Sequence, residues 1–314
     1  MERIEPMSEV LKSGVPKQIA LIGFGEAGSA FAMGWQSELH VPKLCAFDIK
    51  ATSNDADEAR DMRESFTKAK VAGFDAVEQA LKDSGAVFSL VTADQALIAA
   101  KCVAHDIEKD ALYFDCNSCA PDTKREAADI IENAGGRYVD VAIMAPVHPR
   151  LHKTATLVCG PHAEQALKVM TTLGMSATQV STEIGTASSI KMVRSVMMKG
   201  LEALMAECVL AGRRAGIEDA VLQSLEKTYP GFGWEKRAAY MLERTMVHGK
   251  RRAAEMREVA LTVEQLGLSA DMTRSTGAWQ QRIGDLELDA GEDDYQTRAD
   301  AILAELNKLE DPGS

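Results

Sequence analysis

Gly23, Gly25 and Gly28 stand at the spacing G-x-G-x-x-G, in the run Gly23-Phe24-Gly25-Glu26-Ala27-Gly28. Glycines so spaced, between a strand and a helix, suit one chemistry: bringing bare backbone N–H groups against a phosphate. In this reading Gly23 permits a tight turn and Gly25 lets a pyrophosphate approach the main chain. Gly28 lets the following helix lie close on the preceding strand. Phe24, Glu26 and Ala27 complete the turn. A dinucleotide site of this kind expects an acid near the end of the next strand, where a carboxylate accepts the ribose hydroxyls. Asp48 supplies it, 20 positions beyond Gly28. A carboxylate there repels a 2′-phosphate, which favours NAD over NADP, and Lys50 close by softens that preference so that NADP stays open.

The elements that must position these residues follow the same logic. QIALI (18–22) is a short apolar run ending at the glycines, with a small-residue helical pattern after it. LCAFD (44–48) closes on the acid, and AVFSLVT (86–92), ALYFDCN (111–117), RYVDVAIM (137–144) and TATLVCG (154–160) read as further strands. Strands alternating with helical segments predict an α/β Rossmann-type N-terminal domain with a mostly parallel sheet, over 16–183. Residues 1–15 are expected to be a disordered lead-in. From about Thr186 the pattern is helical, with no strand, so 184–314 is expected to be an all-α C-terminal domain entered by a long interdomain helix. A helix of that length rarely finds cover in one small domain, which predicts a homodimer.

A chain of 314 residues with 46% apolar residues is long enough for two domains. Its formal charge of −12 argues against a general nucleic-acid or anionic-membrane binder, although a few local cations can still dominate one pocket. No stretch nears the roughly 18–20 apolar residues of a membrane span. The N-terminus lacks the apolar core of a signal peptide, so a soluble, cytoplasmic protein with reduced thiols is expected. Cys116 and Cys119 form a C-x-x-C, but no second C-x-x-C or H-x-x-x-H follows, which turns down a zinc or redox site. His148, His152 and His162 show no ligand spacing, and no metal is expected.

The motif GFGEAG, with FDCNSCAPD, YVDVAIMAPV and IGTASSIKMVRS at 184–195, resembles the β-hydroxyacid dehydrogenase and 6-phosphogluconate dehydrogenase superfamily. The resemblance covers nearly the whole chain. HGKRRAAEM (248–256) is similar to a subgroup with a 6-phosphogluconate-dehydrogenase-like C-terminal domain and mostly unassigned substrates. The resemblance implies that Lys191 is the catalytic acid/base, exchanging a hydroxyl proton while hydride passes to or from nicotinamide. Arg194 and Ser195, at i+3 and i+4, share its helical face. Arg194 would lower the lysine's proton affinity and clamp a substrate carboxylate, and Ser195 would donate to a substrate oxygen. Asn117 and Ser118 match a position where polar side chains meet nicotinamide or substrate, and Thr92 and Ala93 match the loop that passes the nicotinamide ribose. Turn chemistry alone would also account for Asn117 and Ser118.

Departures from the superfamily pattern narrow the substrate. Ser195 stands where asparagine is usual, and Met198 where 6-phosphogluconate dehydrogenases carry a glutamate, which argues against oxidative decarboxylation. The substrate loop D-x-P-V-S-G-G reads Asp140-Val141-Ala142-Ile143-Met144-Ala145-Pro146, so the small residues that grip a compact hydroxyacid are gone. The substrate is expected to be a small molecule, anionic, and bulkier than such an acid. Imine reductases of the superfamily usually lack the lysine, which favours an alcohol and its carbonyl; C=N reduction and a non-catalytic dinucleotide sensor stay open. His248, with Lys250, Arg251 and Arg252, concentrates positive charge at what reads as a helix start, suited to an anionic substrate. A salt-bridged surface is the competing reading. The Tyr229–Trp234 segment reads as a pocket-closing loop or an inter-helix turn, and Met192, Met197, Met198 and Met205 as packing for the long helix. The acidic 285–294 stretch and the DPGS tail read as solvated.

Overall fold

The computed structural model describes residues 16–38 and 42–310, so the lead-in at 1–15 and the DPGS tail lie outside the described residues. The chain divides into two compact units, Met1–Lys191 and Met192–Ser314.

In the first unit, β1 (Gln18–Ile22), β2 (Lys43–Phe47), β3 (Ala72–Phe74), β4 (Ala86–Ser89), β5 (Leu112–Asp115), β6 (Arg137–Ile143), β7 (Thr156–Cys159) and β8 (Ala177–Ser181) form one sheet. The order is β3-β2-β1-β4-β5-β6-β7-β8, parallel throughout except for β6 with β7. The helices are α1 (Glu26–Trp35), α2 (Ala56–Lys68), α3 (Val77–Leu81), α4 (Ala96–Ala104), α5 (Pro121–Asn133) and α6 (Ala163–Thr172). Every residue of β1, β4 and β5 is buried, which is why they read as unbroken apolar runs rather than alternating ones. The apolar runs at 86–92 and 111–117 outlast their strands, which end at Ser89 and Asp115 where the chain turns into loops. Sequence patterning missed β3 and β8. Both are edge strands with no buried residue, so they leave no apolar period to read.

Register has one consequence for the site. Phe47, Ile22, Ser89, Asp115, Asp140 and Cys159 fall in one row across six strands, at the carboxyl ends of β2, β1, β4 and β5.

Helix α7 (Thr186–Ala215) begins in the first unit and continues into the second; its 30 residues span about 45 Å at about 1.5 Å per residue. The second unit continues with α8 (Glu218–Thr228), α9 (Trp234–Gln265), α10 (Asp271–Gly284) and α11 (Tyr295–Glu310), with no strand among its described residues. Met205, Leu210, Leu222, Met241, Leu242, Ile283 and Ile302 form its core.

One expectation needs correction here, one alternative is decided and one holds in part. His248 and its basic neighbours lie in the middle of the 32-residue α9, not at a helix start. Gly249, next to His248, lies where α9 crosses α10 so closely that a Cβ would stand 2.4 Å from the Gln280 carbonyl oxygen. The nearby cations are paired within the unit: Lys250 with Glu287, Arg251 with Glu255 and Arg252 with Glu202. The Tyr229–Trp234 segment is an inter-helix turn. Glu226 accepts from the N–H groups of Gly231 (2.7 Å), Gly233 (3.1 Å) and Trp234 (3.3 Å), while Phe232 and Trp234 pack on the core. Of the methionines, Met192 and Met205 are buried as expected, whereas Met197 and Met198 are exposed.

Candidate active site

The three glycines separate by what a side chain would strike. A Cβ on Gly23, whose φ is +89°, would lie 2.8 Å from the Leu90 carbonyl oxygen, and one on Gly28 would lie 2.5 Å from the Gly23 oxygen. Both are glycine for the protein's own packing. Gly25, the residue before α1, would meet nothing within 4 Å, and no side chain caps the helix there. An open approach and a helix N-terminus with no side-chain cap have the shape and polarity that suit a pyrophosphate. Exposed Glu26 and half-buried Ala27 form the first turn of α1.

Phe24 and Asp48 also hold the glycine turn together. The Phe24 ring is buried against Phe66, and its N–H donates to Asp48 Oδ2 at 2.6 Å. The other carboxylate oxygen of Asp48 accepts from Lys50 N at 2.9 Å. Asp48, 8% exposed, therefore pins the glycine turn first, and each oxygen keeps a further lone pair for a ribose.

Thr92 and Ala93 follow β4, with Thr92 exposed and Ala93 half-buried at a short 3-10 turn. Asn117 braces two loops. It is buried, its Oδ1 accepts from Val91 N at 2.8 Å, and its Nδ2 donates to Ser89 Oγ at 2.9 Å, so it ties the loops after β4 and β5 together. Ser118 stays half-buried at the loop's surface, where its Oγ accepts from Lys191 Nζ at 2.5 Å.

Beneath this pair lies a group that sequence reasoning missed. Lys124, Asp115 and Asp140 are fully buried, with Lys124 Nζ 3.0 Å from Asp115 Oδ1 and 3.3 Å from Asp140 Oδ1. Burial pushes the Lys124 amine down, but the two carboxylates push it up and win, so it stays charged. Cys159 donates to Asp140 Oδ2 at 3.2 Å; burial, then the nearby carboxylate, pushes its thiol up to about 12, which keeps it a donor. A signal was available: Pro121, Lys124, Ala127, Ala128 and Ile131 form the buried stripe of α5, with a lysine in its middle.

The remaining candidates belong to the second unit. Arg194 is exposed on α7, and Ser195 is buried with its Oγ accepting from Lys199 Nζ at 3.3 Å. His248 is half-buried within α9. Cys116 and Cys119 are buried free thiols, the former raised by burial away from reactivity. Among the described residues no three His, Cys, Asp or Glu side chains gather as a metal site, and no helix is long and apolar enough to cross a membrane.

A sheet ordered 3-2-1-4-5-6, with a bare glycine turn at β1 and an acid ending β2, defines a nicotinamide-dinucleotide-binding Rossmann domain. The chain belongs to the family of the NAD binding domain of 6-phosphogluconate dehydrogenase, which matches residues 18–185. Residues 213–283 match a domain of unknown function, DUF1932. A conserved hypothetical protein from Sinorhizobium meliloti 1021 of known structure is 34% identical, with a TM-score of 0.73, over 95% of this chain and 99% of that one. An uncharacterized 28.5 kDa protein in the 7S RNA 5′ region of Methanothermus fervidus is 25% identical over 82% of this chain and 96% of that protein. Mycobacterium tuberculosis 3-hydroxyisobutyrate dehydrogenase, solved with L-serine, shares 15% identity and a TM-score of 0.68 over 91% of this chain and 98% of that one. At that identity the likeness is one of fold, that of the 3-hydroxyacid dehydrogenases.

Proposed function

We propose that the chain is an NAD(P)-linked dehydrogenase or reductase that interconverts an alcohol and its carbonyl, with Lys191 as the acid/base. The observation that carries the reading is Lys191 Nζ held at 2.5 Å by Ser118, in the unit that bears the glycine turn. Nicotinamide, when bound, takes or supplies the hydride. Lys191 takes the hydroxyl proton on oxidation and returns it to the carbonyl oxygen on reduction, at Nζ. Ser118 fixes where that nitrogen stands. Gly25 and the first turn of α1 hold the pyrophosphate, and Asp48 favours a ribose without a 2′-phosphate. Arg194 receives an anionic group of the substrate. Met144-Ala145-Pro146 in place of a small polar grip supports a substrate bulkier than a compact hydroxyacid.

The test is steady-state turnover with NAD and NADP against hydroxyacids, bulkier anionic alcohols and their carbonyls, with Lys191→Ala beside the parent. A fall of about 100-fold or more in kcat, with dinucleotide affinity kept, is expected of a lost acid/base. Equal turnover in both proteins removes Lys191 from the mechanism, and preferential turnover of cyclic imines would replace the alcohol reading. A homodimer belongs to the same proposal, supported by exposed Ile190, Val193, Met197 and Leu204 at helical spacing along α7. Sedimentation equilibrium at micromolar concentration should give twice the chain mass, and a monomer overturns it.

A further inference from the structure

We propose that the buried trio Lys124, Asp115 and Asp140 is a positioning device that sets Lys191 against Ser118. The inference rests on the proposed activity only for its kinetic consequence.

Asp115 and Asp140 are paired in register on neighbouring strands β5 and β6, both fully buried. Like charges so opposed destabilise a sheet, and burying them costs more still. Lys124 Nζ answers with contacts to the Asp115 carbonyl oxygen at 2.6 Å and to one carboxylate oxygen of each aspartate. Two carboxyl groups thus share one amine. Surrounding donors meet the remaining carboxylate acceptors. Tyr138 Oη donates to Asp115 Oδ2 at 2.7 Å, and Asn117 N to Asp115 Oδ1 at 3.0 Å. Asp140 Oδ2 receives Gly185 N at 3.1 Å, Ser188 N at 3.3 Å, Ser188 Oγ at 3.1 Å and Cys159 Sγ at 3.2 Å. Asp140 Oδ1 faces Lys124 as an ion pair without hydrogen-bond alignment.

The two carboxylates grip the two segments that matter. Asp115 holds the N–H of Asn117, one residue before Ser118. Asp140 holds the first turn of α7, and Lys191 stands one turn on, three residues after Ser188. Lys124 joins the grips. The spacing between Lys191 and Ser118 is thus fixed through side chains with no route to solvent. Asp140 meets Lys124 through Oδ1 and N–H, O–H and S–H donors through Oδ2, so a group with acceptors on both sides fits these contacts. An asparagine must turn its NH2 either towards Lys124 or towards Gly185 and Ser188, and one grip is lost.

The test is Asp140→Asn in the full chain, read in two ways. Acetylation of the Lys191 amine by acetic anhydride, followed by mass spectrometry without substrate, should run at least about threefold faster as Ser118 loses its hold. With the best substrate of the panel, kcat should fall about 100-fold, the scale of a misplacement of about 1 Å, with dinucleotide affinity within about twofold of the parent. Val169→Ala, a cavity in the same unit's core outside this network, should lower the melting temperature yet change neither readout. Unchanged acetylation in Asp140→Asn overturns the proposal, as does an equal rise in Val169→Ala. Faster acetylation in a chain whose parent turns over nothing upholds the positioning role and sinks the activity instead. Should Asp140→Asn fail to fold, Ser188→Ala removes one donor and no charge. A smaller rise is expected there, and none overturns the proposal.

Discussion

Each unit of the chain buries charge, and the two do so differently. In the sheet unit Lys124, Asp115 and Asp140 are stitched to the main chain, because the carboxylates accept from the N–H groups of Asn117, Gly185 and Ser188. In the helical unit the corresponding group is side chain to side chain. Glu202, on α7, takes Arg252 from α9 and Gln280 Nε2 from α10 at 3.3 Å, and Lys199 pairs with Glu255 at 2.9 Å. That group also leaves Gln280 Oε1 and Arg252 Nε buried without a hydrogen-bond partner. A buried network tied to backbone cannot be exchanged for apolar side chains without orphaning N–H groups. One made only of side chains can.

The comparison breaks most readily at Lys124. Lys124→Met leaves two facing carboxylates uncompensated and should cost about 3–5 kcal/mol by calorimetry. Adding Asp140→Leu should recover little, since Gly185 N and Ser188 N then lose their acceptor; full recovery would show that the backbone ties do not matter.

A smaller effect is expected in the helical unit. Arg252→Met should cost about 1–3 kcal/mol, because Glu202 has another way out. Burial already raises its carboxyl above the ordinary range, against the lowering by Arg252, Lys199 and Arg244. Folded Glu202 therefore binds a proton at a pH where the unfolded chain has released it, and folding is favoured as pH falls through that window. Removing Arg252 raises the carboxyl further, so the deficit should narrow from about pH 8 towards about pH 5. Replacing all three, as Arg252→Met with Glu202→Leu and Gln280→Met, should return stability to within about 1 kcal/mol of the parent. A deficit that stays large, or widens on acidification, would erase the distinction between the two networks.

Much of the dinucleotide end was legible, because its parts are local: β1, the glycines, α1 and the acid closing β2 lie within about thirty residues of each other. The edge strands were not, since pairing at an edge needs no burial and leaves no apolar period. The Lys124 group escaped for another reason. A lysine on a helix reads as a solvated residue by default, and only the apolar stripe around it, with acids inside strands β5 and β6, marks it as buried. His248 was misplaced at a helix start, and the close crossing at Gly249 beside it depends on a helix farther along the chain. The Lys191–Ser118 contact joins residues 73 apart, a proximity that only the family resemblance could suggest.

The hold of Asp48 on Phe24 N and Lys50 N, with the Phe24 ring locked in the core, also bears on the entropy of ligand capture. A glycine-rich segment left loose would lose more backbone freedom on meeting its ligand than any other residue type, and that loss would subtract from affinity. Here the freedom is surrendered during folding, so the turn meets an arriving pyrophosphate already in shape, and little of the binding free energy is consumed in ordering the loop.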